Sequence, residues 1–320
     1  MKLFSSVHDI SNLKDAVNQA LMLKADSFAH QSLGKNKTLG LVFLNPSLRT
    51  RLSTQKAAIN LGMNVMVMNL DKEGWALETE DGVVMSGSAA EHIREAAAVM
   101  GQYCDILGFR SFPKLQNREE DYSEGLFNKF VKFCAVPVVS LESATLHPLQ
   151  SFADLITIEE HKKIVKPKVV LTWAPHVKSL PQAVPNSFSE WMCRAQAEGM
   201  LDFVISHPQG LELAEKFTLG AKIEHNQDAA LQSADFVYAK NWSSYNDYGK
   251  MVSLAESWMI TNDKLTQTNE AKVMHCLPVR RDFELSAEIL DGPHSLVIQQ
   301  AANRVCSAQT VLKIMLEGLL

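Results

Sequence analysis

Residues 39–51 read Leu39-Gly40-Leu41-Val42-Phe43-Leu44-Asn45-Pro46-Ser47-Leu48-Arg49-Thr50-Arg51. The apolar run Leu39–Leu44 has the character of a buried strand, and Leu52–Leu61 that of a helix. A serine, a threonine and two arginines therefore fall at a strand-to-helix turn. Backbone N–H groups at a helix start, with the macrodipole, favour an anion there. Arginine adds a planar fork that matches phosphate oxygens. The plainer alternative is Ser47 as a helix cap with both arginines in solvent.

The same alternation continues along the chain. Further strands are expected at Asn64–Asn69, Asp105–Phe109, Val136–Ser140, Lys168–Trp173, Leu201–Ser206, Asp235–Ala239 and Lys272–His275. Most are rich in Val, Ile, Phe and Leu, as strands buried on both faces are. Helices are expected at Ala90–Tyr103, Ser151–Lys163, Phe188–Glu198, Gly210–Phe217 and Asn226–Ser233. Alternating β and α units imply parallel sheets, and 320 residues suit two domains better than one. The expectation is an α/β protein of two doubly wound parallel-sheet domains joined by crossover helices. Residues 1–148 plus 300–320 would form one and 149–299 the other. Leu149–Lys163 would be one crossover, and a final helix near Ala301–Leu320 would return to the first domain. Pro175, Pro181 and Pro185 read as punctuation of one functional loop.

Composition narrows the classes. The chain is 46% hydrophobic and 21% charged with a net charge of −5, which argues against a nucleic-acid scaffold. No apolar run is long enough for a membrane span, and Met1–Ile10 lacks a signal-peptide core. The five cysteines are scattered without a C-x-x-C pair, so a reducing cytoplasm is expected and neither a zinc knuckle nor a disulfide framework is indicated. G-x-G-x-x-G, the Walker P-loop and G-x-S-x-G are all absent, which disfavours a dinucleotide dehydrogenase, a nucleotide triphosphatase and a serine hydrolase.

Ligands of open parallel sheets bind beyond the strands' carboxyl ends. Those ends carry Ser47, Arg49, Thr50 and Arg51; Arg110; Glu142, His147 and Gln150; His176 and Lys178; Lys240, Asn241 and Trp242; and Cys276, Leu277, Pro278, Arg280 and Arg281. This mostly cationic set suits a small, multiply anionic substrate. Each member also has an ordinary reading. Arg110 fits a surface cation, His147 a satisfied loop histidine, and Glu142 a turn cap. Cys276 fits a small buried residue, His275 a structural histidine, and Trp75 a partly buried anchor in a Gly-flanked loop.

Ser47-Leu48-Arg49-Thr50-Arg51 resembles the S-x-R-T-R phosphate motif of the aspartate and ornithine carbamoyltransferases. His147-Pro148-Leu149-Gln150, continuing to Asp154, resembles their H-P-x-Q-x-x-x-D motif. His275-Cys276-Leu277-Pro278 matches H-C-L-P of the ornithine branch, and Asn303-Arg304 resembles the family's C-terminal arginine. The four motifs stand in family order. The resemblance implies that Ser47, Leu48, Arg49 and Thr50 hold the phosphate of carbamoyl phosphate, with Arg304 completing the pocket. Arg110, His147 and Thr50 would polarise the carbamoyl oxygen. Gln150 and the carbonyls of Cys276 and Leu277 would hold its NH₂, so that Cys276 acts through its backbone. No metal or organic cofactor is implied.

Two departures direct the reading to the acylornithine branch. Ser53-Thr54-Gln55 replaces the usual S-F-E, and Ala239-Lys240-Asn241-Trp242 stands where the ornithine enzymes bind an α-ammonium. A lysine there repels an ammonium and attracts a carboxylate. Trp75, Glu142, His176, Lys240 and Arg280 match that branch's second-substrate positions. Ala90 falls where acetyl-specific members carry glutamate and succinyl-specific members proline. Alanine leaves room and adds no charge, which favours succinyl. The implied reaction is carbamoylation of the δ-amine of N-succinylornithine to N-succinylcitrulline in arginine biosynthesis, by a cytoplasmic homotrimer with shared sites. An N-acetylornithine enzyme is the alternative, and an anion-binding regulatory module of the same fold the non-enzymatic one.

Overall fold

Thr38–Phe43 is the strand from which the first sheet is built, in a computed structural model that describes residues 1–252 and 257–319. The described residues form two five-stranded sheets and a two-stranded ribbon. The chain divides into a unit of Met1–Lys114, Glu119–Leu149 and Arg304–Leu320, and a unit of Leu115–Arg118 and Gln150–Asn303. Unit boundaries fall within the helices Pro148–His161 and Val297–Glu317. Leu320, the last residue of the expected final helix, lies outside the described residues.

In the first unit the strand order is Leu3–Phe4, Val138–Glu142, Ile106–Arg110, Thr38–Phe43, Asn64–Asn69, all parallel. Strand order reverses beside Thr38–Phe43, whose neighbours follow it in the chain on both sides. The carboxyl end of that strand is thus a topological switch point, where open α/β sheets bind ligands. Register sets Phe43 opposite Arg110 and Arg110 opposite Glu142. The core beneath includes Val42, Leu107, Phe109, Phe127 and Phe130, with Phe109 and Phe130 stacked at 4.1 Å. The helix Arg49–Asn60 ends at Leu61, and Gly62 follows at φ +82°. A Cβ at Gly62 would stand 2.1 Å from the Gln31 carbonyl oxygen, so only glycine fits this stop.

In the second unit the order is Lys222–Glu224, Asp202–Ser206, Lys168–Trp173, Phe236–Lys240, Lys272–Met274, again parallel. Its switch point lies between Lys168–Trp173 and Phe236–Lys240. Val170, Val204, Val237, Ala239 and Val273 are core residues here, and Phe188 packs on Tyr238 at 4.4 Å between ring centroids.

Several expected elements differ. Gly210–Phe217 is not a helix; only Glu215–Phe217 makes a single 3₁₀ turn, after Pro208 and a Gly210 at φ +84° that break the pattern. Pro185 lies inside the helix Ala183–Ala197, in its first turn, where a proline's missing N–H costs no hydrogen bond. The helix expected from Ala90 starts at Ile93; Glu91–His92 instead pairs with Leu77–Glu78. Arg110, Glu142 and Lys240 are the last residues of their strands rather than loop residues. The helices Leu13–Ala25, Gly125–Cys134 and Arg118–Tyr122 and the strand Lys222–Glu224 stand where no element is expected from the sequence.

Candidate functional site

Helix Arg49–Asn60 begins without a side-chain cap. Leu48 occupies the cap position, and no acidic residue stands in the first turn. Ser47 therefore does not serve as the cap that its composition allowed. The first N–H groups keep no intrahelical partner by geometry, and the local dipole is not offset by an acid. Arg51 sits over the Phe43 ring at 5.8 Å, and the Asn45 side chain accepts the Phe112 N–H at 2.7 Å, fixing the strand ends beside the turn.

Around this turn the first unit gathers buried polar groups. Thr50, Arg110, Glu142, His147 and Arg304 are each buried. Arg304 donates to Thr50 Oγ1 at 2.8 Å and reaches His147 Nε2 at 3.4 Å. Arg110 donates to Glu142 Oε2 at 2.8 Å and to the Pro46 carbonyl at 3.2 Å. The surface reading of Arg110 thus fails. Glu142 neutralises Arg110 and lies 3.5 Å from His147 Nε2; its carboxylate belongs to this first-unit cluster.

Burial, then the charges of Arg304, Arg110 and Arg49, hold the His147 pKa well below the ordinary histidine value. The ring is neutral. At Nε2 the ring meets both the Arg304 guanidinium, which can only donate, and the Glu142 carboxylate, which can only accept, while Nδ1 meets neither. That Nδ1 is buried and has no hydrogen-bond partner among the described residues. His147 is thus a neutral ring held beside two fixed cations, Arg304 and Arg110.

The turn that delivers His147 is built by Glu124, which the motif reading missed. Its carboxylate accepts from Ser143 Oγ at 2.6 Å and from the N–H groups of Ala144 and Thr145 at 3.2 and 2.8 Å. Such a carboxylate, remote in sequence and fully engaged, leaves no local pattern to read.

Trp75 and Ala90 are exposed and flank the ribbon strands Leu77–Glu78 and Glu91–His92 of the first unit. Ala90 N–H donates to the Ala76 carbonyl at 3.1 Å, and Trp75 Nε1 donates to Glu91 at 2.9 Å. Trp75 is 59% exposed, so it is not the buried anchor that its type allowed.

Gln150, Cys276 and Leu277 belong to the second unit. Asp154 accepts from Gln150 and from Gln300, both at 2.7 Å. Gln300 in turn takes the His275 N–H at 2.9 Å, and His275 Nδ1 takes the Leu277 N–H at 2.9 Å. His275 is fully buried and structural, as its plain reading had it. Gln300 has no motif signal ahead of Asn303-Arg304.

At this unit's switch point the Lys240 ammonium, 7% exposed, donates to the Asn241 carbonyl at 3.1 Å. Asn241 anchors on the Ala174 carbonyl at 2.7 Å, and Trp173 Nε1 donates to the Trp242 carbonyl at 2.9 Å. Arg280 Nε donates to His176 Nε2 at 3.2 Å, which leaves the His176 proton on Nδ1, facing the Lys178 carbonyl at 3.0 Å. Burial lowers the His176 pKa, so this ring too is neutral and can accept from Arg280. His176, Lys178, Asn241 and Trp242 line a recess. Lys240, Arg280 and Arg281 do not line it; Arg281 is held in a bidentate pair with Asp291 at 2.6 and 2.7 Å.

Among the described residues no cluster of His, Cys, Asp or Glu has metal-binding geometry, and no helix is long and apolar enough to cross a membrane.

Comparison with known proteins places the chain. Residues 2–160 match the profile of the aspartate/ornithine carbamoyltransferase carbamoyl-P binding domain, and residues 186–315 that of the Asp/Orn binding domain. The chain is 53% identical over 321 residues to an N-succinylornithine carbamoyltransferase of Bacteroides thetaiotaomicron, covering 100% of both. It is 33% identical over 309 residues to an N-acetylornithine carbamoyltransferase of Xylella fastidiosa, covering 89% of this chain and 91% of that one. A solved glutamate-to-alanine variant of N-acetyl-L-ornithine transcarbamylase, complexed with carbamyl phosphate and N-succinyl-L-norvaline, superposes with a TM-score of 0.91 at 30% identity, over 98% of this chain and 100% of that chain.

Proposed function

The chain belongs to the aspartate/ornithine carbamoyltransferase family, and we propose that it transfers the carbamoyl group of carbamoyl phosphate to the δ-amine of N-succinyl-L-ornithine. The products are N-succinyl-L-citrulline and phosphate. One observation carries the chemistry: a neutral, buried His147 flanked by Arg304 and Arg110, beside an uncapped helix start. That set stabilises an oxyanion and a leaving phosphate without supplying a base.

In this reading Ser47, Arg49 and the N–H groups of Leu48, Arg49 and Thr50 grip the phosphate, with Arg304 closing on it. Arg110, His147 and Thr50 polarise the carbamoyl carbonyl and stabilise the charge that grows on its oxygen. The neutral δ-amine attacks the carbonyl carbon. A C–N bond forms, the C–O bond to phosphate breaks, and the departing phosphate takes the amine's proton. Gln150 and the carbonyls of Cys276 and Leu277 take the carbamoyl NH₂. Much of the acceleration comes from aligning two bound reactants. The second unit binds the acylornithine, with Lys240, His176 and Arg280 on its carboxylates.

Succinyl rather than acetyl is supported by 53% identity to N-succinylornithine enzymes against 33% to N-acetylornithine enzymes. It is supported also by Ala90, since the solved variant holding a succinyl ligand replaces a glutamate by alanine. Glu142, engaged by Arg110, acts here by orienting that cation. The reading extends to a role in arginine biosynthesis in the cytoplasm. It also includes a homotrimer in which exposed Trp75 and Ala90 serve a neighbouring protomer; sedimentation equilibrium tests the trimer. Turnover of N-succinyl- and N-acetyl-ornithine with carbamoyl phosphate, read by citrulline-type colour, tests the reaction. Faster turnover of the acetyl substrate would sink the succinyl assignment.

A further inference from the structure

Glu284 is a buried acid that the reaction above does not use. It is 1% exposed, an unusual place for a carboxylate. Its Oε2 accepts the Arg280 N–H at 2.8 Å, and its Oε1 lies 3.4 Å from His275 Nε2. Because His275 Nδ1 accepts the Leu277 N–H, the ring proton is on Nε2 and is directed at Glu284. One carboxylate therefore secures both ends of segment 275–280, one oxygen to each.

That segment needs such support. Leu277 has a φ of +59°, a left-handed conformation that costs a leucine on the order of 1 kcal/mol or more and persists only where its surroundings impose it. Glu284 is itself anchored: its N–H donates to the Arg280 carbonyl at 3.0 Å, and its carbonyl accepts from Ile260 at 3.2 Å. Burial pushes its pKa up, but the His275 hydrogen bond, the charge of Lys240 and the Arg280 N–H outweigh burial, and the carboxyl stays ionised. A bare negative charge near a pocket for carboxylates would repel the ligand. This one is bound through both oxygens to protein donors and acts on the protein.

We propose that Glu284 is a positioning residue for the acylornithine: by gripping the Arg280 main chain and the His275 ring, it fixes where Arg280, and His176 hydrogen-bonded to it, meet the substrate's carboxylates. The inference deepens the substrate reading above and rests on it.

Glu284→Gln keeps the shape but turns an NH₂ toward one of the two donors. KM for N-succinylornithine should rise by about tenfold or more, while inorganic phosphate binding, read by calorimetry, stays within about threefold of wild type. Glu284→Asp, which restores the charge, should recover part of the loss. An unchanged KM, a parallel loss of phosphate binding, or an Asp variant no better than Gln would overturn the proposal. Hydrogen exchange of residues 275–280 is a second readout that needs no turnover: E284Q should exchange faster there, and equal protection overturns the proposal. A wild type idle on N-succinylornithine would instead sink the substrate reading and leave the exchange result to decide Glu284's role.

Discussion

Arg304 donates to Thr50 Oγ1 at 2.8 Å across 254 residues of sequence. The pair brings an arginine of the last helix to the first turn of the helix Arg49–Asn60, and the same guanidinium faces His147 Nε2. Two roles meet in one side chain: it orients a hydroxyl and supplies a buried cation.

Arg304→Lys keeps the charge and loses the fork. Carbamoyl phosphate should bind about tenfold to a hundredfold more weakly, as read by calorimetry and by KM. Arg304→Met should in addition raise the His147 pKa, since it removes the largest charge that depresses it; titration by NMR checks this. A lysine variant with full affinity would show that charge alone suffices.

His147 makes stability depend on pH in a defined direction. Its folded pKa is depressed by burial and by Arg304, Arg110 and Arg49, whereas in the unfolded chain it protonates near the ordinary value of about 6.5. Below that value the unfolded state binds a proton that the folded state refuses, so the contribution present at higher pH is lost as pH falls. His147→Gln should flatten the fall in urea-unfolding free energy between about pH 6.5 and 5. An unaltered slope would mean that the native ring titrates normally.

Lys240→Met keeps the aliphatic stem and removes the buried ammonium. KM for N-succinylornithine should rise by about tenfold or more, with the KM for carbamoyl phosphate changed much less. The opposite pattern would show that the second-substrate pocket is assigned to the wrong strand end.

Ala90→Glu tests the acyl choice. Ala90 is exposed beside the ribbon, so the longer side chain is accommodated without disturbing a core. The added charge should lower kcat/KM for N-succinylornithine relative to N-acetylornithine by about tenfold. Competition between the two substrates would measure it. An unmoved ratio would remove position 90 from the specificity argument.

The reach of sequence reading varies from element to element. Lys168–Trp173 and Asn64–Asn69 are legible to the residue, because an apolar or β-branched run bounded by polar residues has few other uses. Parallel topology follows from the alternation of strands and helices. Gly210–Phe217 misleads because its apolar spacing mimics a helix while Pro208 and Gly210 forbid the start. At the site, Ser47–Arg51 and His147–Gln150 announce themselves through local motifs. Glu124, Gln300 and Glu284 do not: each acts through hydrogen bonds to main chain or ring atoms that only the fold brings within reach. Glu142 carries a signal that composition cannot direct, since only the register opposite Arg110 reveals which cation it serves.

The uncapped start of the helix Arg49–Asn60 has a further consequence. A capping side chain is worth about 0.5–2 kcal/mol to a helix, and this one forgoes it at Leu48. In the proposed reading, the guest anion supplies the missing piece of the host's secondary structure. Leu48→Asp, the repair a protein engineer would choose, would steady the resting chain and occupy the very donors the anion requires. At this turn thermostability and occupancy compete for the same few protons, and a stabilising mutation acts as a built-in competitive inhibitor.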